Sequence, residues 1–416
     1  MAVDSNDRIE QQPTTSNLRV AVVHDWLTGM RGGERVLEVL AAMYPNMEIF
    51  TAFLDEEGIS PLIRSKRIEA SSANSLPGVK SYYRSLLPLY PLIASDISRR
   101  LRRRHAEKPF DVVISVSHCI AKNVRAPKGV KHFSYCLTPV RYLWDQYSAY
   151  FGGKRMEPLI RQIAKLLRVW DKRGAKHVDL FAGISCFVGE RIERCYGRES
   201  LVIYPPVPTE WLQKAEQIKP QSQRSGFLVV NALVPYKNTH VVIEAFNKLG
   251  LELTIVGDGP ERARLKSLAK PNIHFAGKLA DEELARRYCS SQAMIFAAEE
   301  DFGMTPVEMQ ACGGPVIAYG KGGALETVCT QEGQESGCLF YELSADSLAR
   351  SIQQFLDRSD AYTVENCIRQ AELFSRSRFE SDFEQALKSL GIVDTSRELK
   401  QEGFAVTEDR KRVSLG

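Results

Sequence analysis

Apolar and polar positions along this chain switch between two periods, and the switching itself repeats. Short apolar runs bounded by turn residues occur at LRVAVVH (18–24), DVVISVS (111–117), KHFSYC (131–136), VDLFAGIS (178–185) and LVIYPPV (201–207). Runs of this kind predict strands covered on both faces. Helical spacing lies between them, most clearly in ERVLEVLAAM (34–43). The pattern restarts with FLVVNA (227–232) and the helix THVVIEAFNKL (239–249), then LELTIVG (251–257), NIHFAG (272–277), QAMIFAA (292–298) and GPVIAYG (314–320). Alternating strands and helices predict an α/β protein with two doubly wound, Rossmann-like domains. The pair Pro205-Pro206 and the polar stretch KAEQIKPQSQRSG (214–226) mark the break between them. The expected organisation is a tail over 1–17, a first domain over 18–207 and a second over 208–376. A helix over 377–391 is free to pack back on the first domain, and 392–416 is a second polar tail. Both tails read as disordered or loosely attached. Open sheets bind ligands beyond the carboxyl ends of their strands, so two facing sheets predict an interdomain cleft.

Composition narrows the classes. A chain of 416 residues has room for two cores, and 44% apolar with 25% charged residues is ordinary for a globular protein. Lys and Arg total 55 against 51 acids, which gives no reason to expect nucleic acid as a partner. The nine cysteines include no Cys-x-x-Cys pair, which points to reduced thiols in the cytoplasm and away from disulfides or zinc. The first 17 residues lack the apolar centre of a signal peptide. The run SLLPLYPLIAS (85–95) is broken by two prolines and falls short of the roughly 20 residues of a spanning helix. The segment 84–105, with five arginines in 99–104, reads as a solvated helix face. It also leaves open a peripheral contact with anionic lipid at the inner face of a membrane.

Candidate chemistry gathers at strand ends. AAEEDFGMTPVE (297–308) leaves a strand and enters a helix. Thr305 suits an N-cap, Pro306 the first helical position and Glu308 the end of a capping box. The same stretch sets Gly303 and Met304 at a helix start, where free amides meet anions, and Glu300 on the strand-end loop. Lys237 in ALVPYKN (232–238) is a surface lysine or the partner of a diphosphate. Gly257 in GDGPE is a turn residue or a ligand contact. HDWLTGMRGGE (24–34) places His24, Gly32 and Gly33 between the first strand and its helix, as a tight turn or the floor of a donor site. His118 ends another strand. CLTPVRYLWDQY (136–147) joins Thr138, Arg141 and Trp144 in one loop, which suits sugar or phosphate binding as well as an aromatic cluster.

Taken together these residues resemble a family. EDFGMTPVE, ACGGPVIAYGKGGALETV, LVPYK and VGDGPE, with RGGERVL, SVSHCIAKNV, YCLTPVRYLW and YGRESLVIYPPV, make the chain similar to retaining glycosyltransferases of family 4 over about 18–390. The resemblance implies the GT-B fold of two facing Rossmann-like domains. It implies a nucleotide-sugar donor whose ribose is bound by Glu308, with Glu300 beside the sugar and Lys237 on the diphosphate. Gly32, Gly33 and His118 then face donor and acceptor, while His24, Thr138, Arg141 and Trp144 fall on the acceptor side. The wording resembles mannosyltransferases of polysaccharide assembly, implying GDP-mannose as donor and a glycan or lipid-linked saccharide as acceptor. No cofactor and no metal are implied. The chain departs from the family pattern at Ala232, Leu137 and Ile184, where Arg, His and Asn are usual. A nucleotide-sugar epimerase, a phosphorylase and a non-catalytic nucleotide-sugar-binding subunit remain open alternatives.

Overall fold

The structure is a computed structural model that describes residues 17–145, 147, 157–207 and 224–392. Apart from residues 17 and 392 the two tails lie outside the described residues, as does 214–223 of the polar break. Among the described residues, thirteen strands form two parallel sheets. The first holds β1 (Val20–His24), β2 (Glu48–Thr51), β3 (Arg67–Ala70), β4 (Val112–Ser117), β5 (Lys131–Cys136), β6 (Leu180–Gly183) and β7 (Leu201–Val202). The second holds β8 (Phe227–Val230), β9 (Leu253–Val256), β10 (Ile273–Gly277), β11 (Ala293–Phe296), β12 (Val316–Tyr319) and β13 (Gly337–Phe340). Their spatial orders are β3-β2-β1-β4-β5-β6-β7 and β10-β9-β8-β11-β12-β13. Both are doubly wound, and the direction of winding reverses between β1 and β4 and between β8 and β11.

The longer helices are α1 (Gly32–Met43), α2 (Tyr90–Glu107), α3 (Glu157–Ala175), α4 (Cys186–Tyr196), α5 (Thr239–Leu249), α6 (Asp281–Ser290), α7 (Met304–Ala311), α8 (Ala345–Asp357) and α9 (Arg376–Ser389). The central strands are buried on both faces, as their unbroken apolar runs require: β1, β4, β11 and β12 expose no residue. LVIYPPV forms a strand over Leu201–Val202 alone, since Pro205 and Pro206 have no N–H to give a ladder. The C-terminal helix α9 sets Phe383 against Phe133 at 5.0 Å between ring centres and Phe379 against Tyr135 at 5.7 Å. Both partners lie on β5, so α9 is packed against the first sheet.

The arginine run in α2 is largely paired within its own domain. Arg100 reaches Asp96 at 3.0 Å and Glu69 at 3.2 Å, Arg103 reaches Glu69 at 2.7 Å, and Arg104 reaches Glu48 at 2.7 Å. Arg99 also pairs with Asp96. These contacts tie the helix to β2 and β3 and compensate most of its charge. No helix among the described residues is long and apolar enough to cross a membrane.

One buried histidine makes the first domain sensitive to acid. His132 on β5 has no exposed surface, and its Nε2 lies 2.9 Å from Ser115 Oγ. Burial pushes its pKa from 6.5 down to about 4, against the opposing pull of Asp179. Between those values the unfolded chain binds a proton that the native chain refuses, so stability falls as pH drops through that window. We expect a loss on the order of 3 kcal/mol from this residue by pH 4. Denaturant unfolding at a series of pH values should show that slope, and His132→Gln should flatten it between pH 6.5 and 4.

Candidate functional site

The two winding reversals bring the candidate residues together, because a reversal opens a crevice at the carboxyl ends of neighbouring strands. In the first sheet His24 ends β1, and His118 follows β4. In the second, the loop after β8 carries Lys237 and the loop after β11 carries Glu300.

On the first side an aspartate organises the crevice. Asp25 is fully buried and accepts from the backbone N–H groups of His118 at 2.5 Å, Ile120 at 2.6 Å and Ala121 at 2.7 Å. Its Oδ2 also lies 3.0 Å from His118 Nδ1, which turns the outer nitrogen of that half-exposed ring outward. Burial alone would raise the Asp25 carboxyl; the charge and hydrogen bonds of His118, with help from His24, hold it below its usual value. Trp26 fixes the same ring edge-on at 4.6 Å. Beneath it His24 is buried, with Nδ1 3.1 Å from the Val116 carbonyl and Nε2 3.7 Å from Glu34. Burial would lower the His24 pKa, but Glu34 and Asp25 outweigh it and raise it. His24 is therefore part of the floor.

The glycine turn is tighter than a loop. Gly32 and Gly33 are the first residues of α1, where Glu34 reaches back to the Arg31 N–H at 3.1 Å. A Cβ on Gly33 would stand 2.7 Å from Leu137 Cδ1 and 3.4 Å from the His24 ring, so a side chain there has to push the end of Leu137 aside. Gly32 has open space around it.

On the second side the sequence VPYKN closes a one-turn helix over Pro235–Lys237. Asn238 follows at φ 54°, and its side-chain amide donates to the Ala297 carbonyl at 3.0 Å. That bond ties the lysine turn to the end of β11. Lys237 Nζ consequently meets Glu300 Oε1 at 2.5 Å, with the two side chains 13% and 18% exposed. Gly257 and Gly259 brace this turn from behind. A Cβ on either would fall 1.8 Å from the Asn231 carbonyl oxygen or 2.4 Å from that of Leu233. Gly257 thus acts here through backbone packing. Ala232, beside it, is exposed.

Each residue of the strand-end loop has a different anchor. Glu300 holds Lys237. Asp301 is clamped by two guanidinium groups of the first domain, Arg141 and Arg191, with Arg141 Nε at 2.9 Å. Arg191 also binds Asp145 Oδ2 at 2.7 Å and Thr138 Oγ1 at 2.7 Å. Phe302 packs between Tyr204 at 5.9 Å and Phe374 at 5.2 Å. Gly303, at φ 94°, is the N-cap of α7. The loop can lie this way because Gly322 and Gly323 pass beneath it, with Gly323 N–H donating to the Glu300 carbonyl at 2.8 Å. Side chains there would collide with Glu300 and Phe302 at 2.4 and 2.3 Å. A second bridge lies nearby. Ser185 caps α4 and also donates to the Asp301 carbonyl, while Glu326 accepts from the Cys186 and Phe187 amides at 2.7 and 3.0 Å.

The capping box expected at Thr305 is not formed. The helix starts at Met304 with Gly303 as its cap, so Thr305 is its second residue and no side chain caps it. Left-handed Gly303 starts the helix before a Thr cap is available. Glu308 is therefore inside the helix, buried, and accepts from the Tyr288 hydroxyl at 2.9 Å. Trp144 points elsewhere than the crevice, its indole N–H on buried Asp171 at 2.9 Å. Asp171 in turn binds Lys122 Nζ at 2.7 Å. Asp25, Asp301, Arg191 and Glu326 were not singled out in the sequence. A carboxylate directly after a strand end, as in HDW, is the one local signal, and Asp25 alone carries it. Among the described residues, no group of three or more His, Cys, Asp or Glu side chains is placed to hold a metal ion.

Comparison with known proteins agrees with this fold. Residues 213–373 match the family model described as glycosyl transferases group 1. D-rhamnosyltransferase WbpZ of Pseudomonas aeruginosa is 29% identical over 180 residues, 38% of this chain and 46% of that one. A GDP-mannose-dependent α-(1-6)-phosphatidylinositol monomannoside mannosyltransferase of Mycobacterium tuberculosis is 26% identical over 240 residues, 51% of this chain and 60% of that one. The chain thus matches about half the length of these curated relatives. Among solved structures, sucrose-phosphate synthase from Thermosynechococcus elongatus superimposes with a TM-score of 0.66 at 18% identity, covering 90% of this chain and 99% of that one. The chain has the GT-B fold, and its segment 213–373 matches the group 1 glycosyl transferase family.

Proposed function

We propose that the protein transfers a hexosyl group from a nucleoside diphosphate sugar to a hydroxyl of a glycan or lipid-linked saccharide, with retention at the anomeric carbon. GDP-mannose is the proposed donor, in keeping with the mannosyltransferase among its relatives. The observation that carries the reading is the Lys237–Glu300 pair standing beside left-handed Gly303 at the winding reversal of the second sheet. As the bond from sugar to diphosphate breaks, negative charge gathers on the leaving group. Lys237 and the amides at Gly303–Thr305 are positioned to take it up, a preorganised stabilisation worth roughly 10²–10³ in rate per donor. Glu300 sits on the sugar side of that lysine and supports positive charge on the sugar ring. Glu308 binds the ribose hydroxyls. His118, oriented by Asp25, faces the sugar from the first domain. Nine cysteines, all free, favour a reducing cytoplasmic location. Peripheral attachment through 84–105 would draw on its apolar rim, with Leu89 and Leu92 exposed, more than on its paired arginines.

The direct test is a mass-spectrometric screen of the purified protein against nucleotide sugars with hydroxyl acceptors, following released nucleoside diphosphate. The anomeric configuration of the product then reports retention. An epimer, a sugar phosphate, or tight binding without turnover would each replace the transferase reading. Lys237→Met should lower transfer by about 10²-fold or more at unchanged fold; transfer within threefold of wild type would remove the lysine from the diphosphate. Glu308→Gln keeps the acceptor for Tyr288 and should cost less than about 1 kcal/mol in stability. Its nucleotide affinity, measured by calorimetry, should drop by about tenfold or more, and equal affinity would exclude the ribose role.

A further inference from the structure

Arg141 lies on the first domain, yet its guanidinium is turned to the loop that carries the donor residues of the second. Nε and Nη2 both go to Asp301 Oδ2, which leaves Nη1 with no protein acceptor among the described residues. The side chain is 23% exposed and Nη1 is not among the buried unpartnered atoms, so this amino group is accessible to a ligand. Asp301 is already held from the other side by Arg191, which has Asp145 as a further partner. Four cations, Lys237, Arg141, Arg191 and Arg194, therefore meet three carboxylates, Glu300, Asp301 and Asp145. Arg194 stands on the solvent side of Asp145, so within the crevice three cations face three carboxylates, and Lys237 is matched by Glu300. Arg141 feels Glu300 and Tyr236 as well as Asp301, all of which raise its pKa against the lowering effect of burial.

Resting on the transferase reading, we propose that Arg141 is a second phosphate ligand of the donor site, reaching across the cleft to the β-phosphate. That phosphate is the one bonded to the sugar, and it lies where Glu300 and Lys237 meet. A nucleoside diphosphate brings oxygens for the unused Nη1, and a planar guanidinium with a free edge binds phosphate oxygens in its plane. Because Arg141 belongs to the other domain, the diphosphate joins the two halves through the same side chain that already binds Asp301. Ala232, exposed beside the lysine turn, contributes no charge, and the cation from across the cleft takes that part.

The test is calorimetric titration of the full chain with GDP and UDP, and with GMP and UMP. Arg141→Met should weaken the preferred diphosphate by about tenfold or more, the scale of a lost charged hydrogen bond, and the matching monophosphate by less than threefold. Arg191→Met breaks the same Asp301 clamp at a side chain that is only 5% exposed and already engaged by Asp145 and Thr138. It should leave diphosphate affinity within threefold, with small-angle scattering reporting any loosening of the domains. Equal losses for diphosphate and monophosphate in Arg141→Met, no loss for either, or the same loss in Arg191→Met would overturn the assignment and leave Arg141 a strut between domains. A wild-type chain that binds neither diphosphate would overturn the transferase reading along with it.

Discussion

The crevice depends on a close approach between two stretches of backbone. Gly322 and Gly323 lie against Glu300 and Phe302 at a distance that admits no side chain. With that contact made, the Glu300 carbonyl is fixed by the Gly323 amide and the four residues up to Gly303 have no freedom left to choose their directions. One side chain goes to the lysine of its own domain, the next to the arginines of the other and the third into an aromatic cluster. The fourth, with no side chain, turns the chain into a helix. A methyl group at either glycine would have to lift the loop, and every one of these contacts would move with it.

Much of this was legible in the sequence because strand ends are legible. Long apolar runs fix where β1, β4, β8 and β11 stop, and His24 at the end of β1, His118 just after β4, and Lys237 and Glu300 on the loops after β8 and β11 are the ones the winding reversals bring to the crevice. What the sequence withheld was mostly partnership across distance. Arg141 and Asp301 are separated by 160 residues, and Cys186 and Glu326 by 140, with nothing local to connect them. Trp144 sits in a loop rich in ligand-like residues, but a buried carboxylate 27 positions later claims its N–H. Thr305 misleads for a different reason. Thr-x-x-Glu is a sound local signal for a cap, and the left-handed turn at Gly303 pre-empts it. The arginine run is similar: its acids, Glu48 and Glu69, come from strands earlier in the chain.

The two domains differ in how they set their polar groups. In the first, buried charge is neutralised locally: Asp25 by three amides and His118, His24 by Glu34, and Asp171 by Lys122. Leaving any of these half-paired would cost several kcal/mol, roughly 3–5 for a buried ion pair, so this side is rigid by construction. The second domain also buries carboxylates, Asp301 and Glu308 among them, but it keeps the Lys237–Glu300 pair at the rim, partly open to solvent. Rigid floor and adjustable rim suit a crevice that must grip one part of a ligand while another part changes.

The Glu326 contact has a consequence for anyone who would take the molecule apart. The first two amides of α4 find their acceptor on the opposite domain, and so does the hydroxyl of Tyr204 at 3.1 Å. Each half therefore carries an unfinished helix end or an unanswered carboxylate when it stands alone. Grafting a first domain from a relative onto this second domain would transplant the crevice walls but not the seam. A working chimera needs its crossover drawn by the pairs that meet across that seam, Glu326 with α4 and Asp301 with Arg141 and Arg191, and not by the proline pair that divides the sequence.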